Sequence, residues 1–82
     1  MAAIQTRRTS ASRIGEVDFS NLEFGKHLSD HMLIAVYDHG KWGTPEIVPY
    51  GDLSFSPAML ALHYGQTVFE GMKAFRMNNG DI

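Results

Sequence analysis

Asp30-His31-Met32-Leu33-Ile34-Ala35-Val36-Tyr37, closed by Asp38-His39-Gly40-Lys41-Trp42-Gly43, decides the fold class. The first eight residues are a short apolar run rich in strand formers, and the two glycines and the aspartate that follow mark a turn. Such a run predicts a strand buried on both faces. Just downstream, Thr44-Pro45-Glu46-Ile47-Val48-Pro49-Tyr50 sets β-branched residues between two prolines. Because proline cannot donate to a ladder, this segment is expected to be an edge strand or an irregular extended arm.

Further along, Asp52-Leu53-Ser54-Phe55 alternates polar and apolar residues, and Ser56-Pro57 supplies a helix entrance. A serine oxygen can cap free amides, and proline is tolerated at the first helical position. A helix is expected from about Pro57 to Glu70, with Met59, Leu62, Val68 and Phe69 approximating one face. Gly65 in its middle implies a kink or a close backbone contact, and Gly71 is placed to end it. Met72-Lys73-Ala74-Phe75-Arg76 then alternates as a half-buried strand would, and Asn78-Asn79-Gly80-Asp81 is a tight-turn signal. The turn is followed by a single residue, Ile82, which suggests a piece of a longer chain. Strands with one main helix make the expected class α/β.

Upstream of the opening strand, Val17, Phe19, Leu22, Phe24 and Leu28 show neither a 2-residue nor a 3.6-residue period, so an extended approach segment is expected. Gly25 gives the backbone freedom to carry the Phe24 ring into a neighbouring surface. Met1–Gly15 contains Arg7, Arg8 and Arg13 among serines and threonines with no acid, a composition shared by frayed basic termini and organellar transit peptides. Residues 1–20 are expected to form a flexible extension that joins no core, and residues 21–82 the first part of a small domain.

Composition narrows the function classes. With 82 residues, 44% hydrophobic and 20% charged, the chain is ordinary globular material. It is large enough for one small domain of marginal stability. A formal charge of -2 gives no electrostatic reason to bind nucleic acid. The longest apolar run is far short of the roughly 20 residues that cross a bilayer, so no membrane partner is expected. There are no cysteines, which excludes a disulfide scaffold and a zinc ribbon.

Taken singly, the chemical candidates do not assemble a site. His27 and His31 are four apart, but that spacing suits a metal only on a helix and His31 opens a strand, so no metal is expected. His63 beside Tyr64 reads as a hydrogen-bonded core histidine. Asp30, Glu46 and Asp52 are too dispersed to pair as acid and base. There is no nucleophile elbow around Ser54 or Ser56 and no glycine-rich phosphate loop.

The stretch Ala61-Leu62-His63-Tyr64-Gly65-Gln66-Thr67-Val68-Phe69-Glu70-Gly71-Met72-Lys73-Ala74-Phe75-Arg76 resembles the fold-type IV pyridoxal-phosphate aminotransferases, and its Met72-Lys73-Ala74-Phe75 continuation is similar to their branched-chain members. The resemblance extends back through Phe24-Gly25-Lys26, Ser29-Asp30-His31-Met32-Leu33 and Pro45 to Phe55, covering about Leu22 to Ile82. It implies part of a small N-terminal α/β domain, with a larger catalytic domain elsewhere and an active site completed by the second subunit of a homodimer. The implied reaction moves an amino group between leucine, isoleucine or valine and 2-oxoglutarate, with pyridoxal 5'-phosphate holding the nitrogen. The implied setting is cytoplasmic, with a mitochondrial alternative.

Matched residue by residue, the resemblance places Phe24 and Phe69 as aromatic walls of the side-chain pocket, and Tyr64 as a tyrosine reaching into the neighbouring subunit's site. It places Gly71 at a close approach, and Lys73 near the substrate entrance. No catalytic residue is implied within the chain. The lysines are Lys26, Lys41 and Lys73, and none matches the family's cofactor-bearing lysine. The chain alone is therefore expected to be inactive. The alternatives are a non-catalytic interaction module built on the aromatic surface, or another fold-type IV enzyme such as a D-amino-acid transaminase or an aminodeoxychorismate lyase.

Overall fold

His31–Ile34 of the opening run becomes a strand, but its sheet is assembled in an order the prolines did not suggest. A computed structural model describes residues 3–82. Its regular elements are β1 (Gln5–Thr6), β2 (His31–Ile34), β3 (Tyr37–Asp38), β4 (Lys41–Trp42), β5 (Glu46–Pro49) and α1 (Leu60–Tyr64). A 3-10 turn occupies Ile14–Glu16. The expected α/β class, mostly strand with one main helix, holds.

β5 lies at the centre of a three-stranded sheet in the order β1-β5-β2, parallel to β1 and antiparallel to β2. This corrects the edge-strand expectation, and the reason is the position of each proline. Pro45 precedes the strand and lends only its carbonyl, which accepts the Gln5 N–H at 3.0 Å. Pro49 stands opposite His31. The adjoining pair is joined by the Tyr50 N–H donating to the Asp30 carbonyl at 2.8 Å. Hydrogen-bonded and non-bonded pairs alternate in an antiparallel ladder, so Pro49 falls where no donor toward β2 is required. On its other side β1 pairs only as far as Ile47.

The run from Asp30 to Tyr37 is not one strand, and it is not buried on both faces. Pairing with β5 ends at Ile34, and Tyr37 begins a separate hairpin of β3 with β4. That hairpin turns through His39 and Gly40, with φ of 50° and 80°. Positive φ at both central residues belongs to the mirror-image turn whose twist matches the two strands, and Gly40 adopts it freely. The Tyr37 and Trp42 rings meet edge to face at 5.2 Å. His31, Met32 and Ile34 are half-buried and Leu33 is exposed. No side chain among the described residues is fully buried. A single sheet layer has nothing of its own to cover both faces, whereas stable domains stack at least two layers.

The N-terminal stretch also departs from expectation. Met1 and Ala2, part of the expected flexible extension, lie outside the described residues. Gln5–Thr6 is a sheet strand, and residues 9–13 are bonded to the beginning of β2. The Arg13 N–H donates to Asp30 Oδ1 at 2.8 Å, the Ser12 hydroxyl donates to the same carboxylate, and Arg13 Nη2 donates to the Ser29 carbonyl at 2.6 Å. The Arg13 guanidinium also lies over the Tyr50 ring, 5.4 Å from its centroid.

The residues through Asp52 and the residues Leu53–Ile82 form two separate compact units. In the second, α1 is much shorter than the helix expected over residues 57–70. Gly65 ends it, adopting the left-handed conformation at φ 63° and returning its N–H to the Leu60 carbonyl. The glycine read as a kink is thus the helix stop, and Gly71 ends nothing. Ser56 and Pro57 belong to a turn before the helix: the Ser56 hydroxyl accepts the Ala58 N–H and its carbonyl accepts the Met59 N–H. Met72–Arg76 forms no strand. The turn expected at Asn78–Asp81 is present, with Gly80 at φ 91° and its N–H donating to the Met77 carbonyl at 3.0 Å.

Candidate functional site

The expected site residues come from both units. Phe24 belongs to the first, in the turn just before Gly25, whose φ of 75° uses the freedom expected of it. The Phe24 ring is fully exposed, so within this unit it lies against no surface. Tyr64 is the last residue of α1, exposed, with its ring tilted against that of His63 at a centroid distance of 6.0 Å. His63, expected in a core, is exposed as well, because this unit fully buries no side chain.

Beyond the helix, Val68, Phe69 and Met72 are 97%, 91% and 93% exposed in an irregular segment. Large apolar side chains left in water cost roughly 1.5–3 kcal/mol each relative to burial. A contiguous set of them marks an interaction or binding surface rather than a finished one. Gly71 follows Phe69 closely: a Cβ placed on it would meet the Phe69 ring at 3.9 Å, an ordinary contact. Within this unit the space beside the ring would admit a methyl group. Lys73 is exposed. Of the five expected residues, the structure brings Phe69 and Gly71 together.

The cofactor implied by the resemblance sets a sharper test. A lysine that binds a carbonyl needs its amine neutral, which enzymes achieve by desolvation or a neighbouring cation. Lys26 is exposed and paired with exposed Glu23 at 3.3 Å, so it is not desolvated. Lys41 lies exposed on β4 and Lys73 exposed in the irregular segment. A phosphate group seeks a helix N-terminus or a nest of amides, but α1 is only five residues long. The described residues do not fit the anchor of pyridoxal phosphate.

A cavity went unnoticed in the sequence. Arg13, Ile14, Val17, Phe19, Leu22, His27, Leu28, Ser29 and Asp30 line an open groove of about 380 Å³ in the first unit. Of the apolar residues that showed no period, Val17, Phe19, Leu22 and Leu28 share this lining, directed by a 3-10 turn and successive bends rather than a strand or helix, while Phe24 does not. Arg13 and Asp30 on its edge are already bonded to each other's neighbourhood. Their contact is an ion pair at 3.7 Å, supplemented by the hydrogen bonds above. The Asp30 carboxyl is held below the usual carboxylate range, chiefly by the Ser12 hydroxyl and then by the Arg13 N–H. Among the described residues no group of three or more His, Cys, Asp or Glu side chains could hold a metal ion. No helix there is long and apolar enough to cross a membrane.

No family model matches the chain. Individual relatives do. Over 64 residues, 77% of the chain, it is 52% identical to a mitochondrial branched-chain-amino-acid aminotransferase of Schizosaccharomyces pombe, of which it covers 15%. It is 53% identical over 64 residues to the cytosolic branched-chain-amino-acid aminotransferase of Saccharomyces cerevisiae, covering 77% of the chain and 17% of that protein. A probable branched-chain-amino-acid aminotransferase of Staphylococcus aureus is 52% identical over 66 residues, covering 79% of the chain and 18% of that protein. The chain spans less than a fifth of the length of these curated relatives.

Proposed function

Because this chain belongs to the branched-chain-amino-acid aminotransferase family, we propose that it is a stretch of an enzyme moving the amino group of leucine, isoleucine or valine to 2-oxoglutarate. The observation that carries this reading is identity above 50% to fungal and bacterial relatives over more than three quarters of the chain. Pyridoxal 5'-phosphate would supply the electron sink. Its anchor falls to residues outside this chain, since Lys26, Lys41 and Lys73 do not fit.

What the chain contributes in this reading is shape. Phe24 and Phe69 wall the pocket for a branched aliphatic side chain, and Tyr64 closes it from a neighbouring subunit of a homodimer. Discrimination among aliphatic side chains depends on matched apolar surface, each methylene being worth about 1–3 kcal/mol. The exposed state of these rings supports the assignment, because a pocket wall shared between subunits and domains stays uncovered in either part alone. Gly71 keeps the backbone slim beside Phe69, and Lys73 favours the substrate carboxylate at the entrance. The setting is cytoplasmic, and the 82-residue chain has no activity by itself.

The test is glutamate formation by the purified full-length protein given 2-oxoglutarate and each branched-chain amino acid in turn. The proposal expects turnover with leucine, isoleucine and valine. Turnover with D-alanine alone would transfer the assignment to a D-amino-acid transaminase.

A further inference from the structure

The backbone from Gln5 to Arg13 spends every second N–H on an acceptor, and the chemistry of those acceptors changes along the way. Gln5 and Arg7 donate to the Pro45 and Ile47 carbonyls at 3.0 and 2.8 Å. Thr9 donates to Nε2 of the His31 imidazole at 2.9 Å, in a part-buried contact. Ala11 donates to the Thr9 hydroxyl at 3.2 Å, and Arg13 to Asp30 Oδ1 at 2.8 Å. An extended strap thus begins as a sheet strand on β5 and ends on two adjacent titratable side chains at the start of β2.

We propose that His31 is a pH-operated latch on this strap, closed while its imidazole is neutral and opened when Nε2 takes up a proton. A neutral imidazole accepts at one nitrogen and donates at the other, whereas the cation donates at both. Proton uptake from solvent at Nε2 therefore turns the acceptor of the Thr9 N–H into a competing donor. Histidine is the side chain suited to make this change near physiological pH. The charged groups that flank it are Asp30, which directly precedes it in the chain, and Arg13 of the strap, paired with Asp30 at 3.7 Å. From β5, uncharged Pro49 stands opposite His31 and Glu46 stands at the far end of the ladder, opposite Ile34, while Tyr50, just past β5, donates its N–H to the Asp30 carbonyl. Asp30 stays ionised through the same range, its carboxyl held low by Ser12 and Arg13. The opening is consequently partial: residues 8–11 detach while Ser12 and Arg13 remain anchored.

Amide hydrogen exchange of the full-length protein, corrected for the intrinsic pH dependence of exchange, reads this directly. Between pH 8 and pH 5.5 the Thr9 and Ala11 amides are expected to lose about fivefold protection, the worth of one ordinary hydrogen bond, while those of Arg13, Ile14 and Glu16 hold theirs. His31→Gln supplies an acceptor that does not titrate and should keep the Thr9 and Ala11 amides protected at both pH values. Thr9→Pro removes the donor without touching the imidazole and should leave the segment equally loose at both, which keeps the test decisive if His31→Gln fails to fold. Equal pH sensitivity in Thr9→Pro and the unmodified protein would overturn the latch, as would an unmodified strap whose protection ignores pH.

Discussion

The two units of the chain differ in where their interactions end. Through Asp52, distant segments are joined: β1 to β5, β5 to β2, and Thr9, Ser12 and Arg13 to residues 28–31. From Leu53 onward the backbone hydrogen bonds are local, closing one short helix and two turns, and the apolar side chains from Val68 to Phe75 face outward. Yet the second unit carries the denser run of family-like residues, from Ala61 to Arg76. Segments that satisfy their own interactions and segments that carry the family-like residues are thus separated: side chains that face outward do not build a local core.

The largest effect that would break this contrast concerns cooperative folding. With no fully buried side chain among the described residues, the purified 82-residue chain should show a shallow, non-cooperative urea response by circular dichroism, because cooperativity follows the surface buried on folding. A sharp transition would show that the chain supplies its own core. The next effect sharpens the assignment of the second unit to a pocket. In the full-length protein, Phe69→Ala should lower kcat/KM for leucine by about 100-fold, with a much smaller change in thermal stability. A large loss of stability with kcat/KM unchanged per folded molecule would return Phe69 to core packing.

What the sequence disclosed follows the same division. β2 was legible because a short apolar run with turn residues behind it has few other readings, and the Asp38–Gly43 and Asn78–Asp81 turns were legible because asparagine, aspartate and glycine tolerate positive φ. The central place of β5 was hidden, since a proline shows that a donor is missing but not whether the ladder needs one there. Gly65 was read for its cost inside a helix when it was the helix stop, an ambiguity composition cannot resolve. The strap was invisible because its acceptors are an imidazole and a carboxylate about 20 residues away, and periodicity records backbone partners only. For the proposed pocket, the names of candidate residues were readable from the motif, whereas within these units only Phe69 and Gly71 come together.

Two smaller effects test the first unit. Gly40→Val forces a β-branched residue into left-handed backbone at φ 80° and should cost about 1–2 kcal/mol, read as a lower melting temperature of the full-length protein. Gly51→Ala, where φ is not positive and nothing lies within 4 Å of the added Cβ, should be nearly neutral. An equal loss from both would remove the turn from the account.

Acid provides the smallest. A carboxyl whose folded value is depressed contributes stability above its unfolded value and loses it as pH falls through the folded one. Protection of the Arg13 amide should accordingly persist to about pH 4 and disappear below it. Asp30→Asn should replace that profile with weaker, pH-independent protection. Loss of protection well above the ordinary carboxylate range would contradict the bonding of Asp30 by Ser12 and Arg13.

The central claim is that this chain holds pocket surface without the cofactor's anchor. The direct measurement is borohydride reduction after adding pyridoxal phosphate, followed by intact mass and peptide mapping, on the 82-residue chain and on the full-length protein. The account predicts one stoichiometric pyridoxyl adduct on the full-length protein at a lysine outside these residues, and only sparse labelling spread over Lys26, Lys41 and Lys73. A stoichiometric adduct at any one of those three would contradict it.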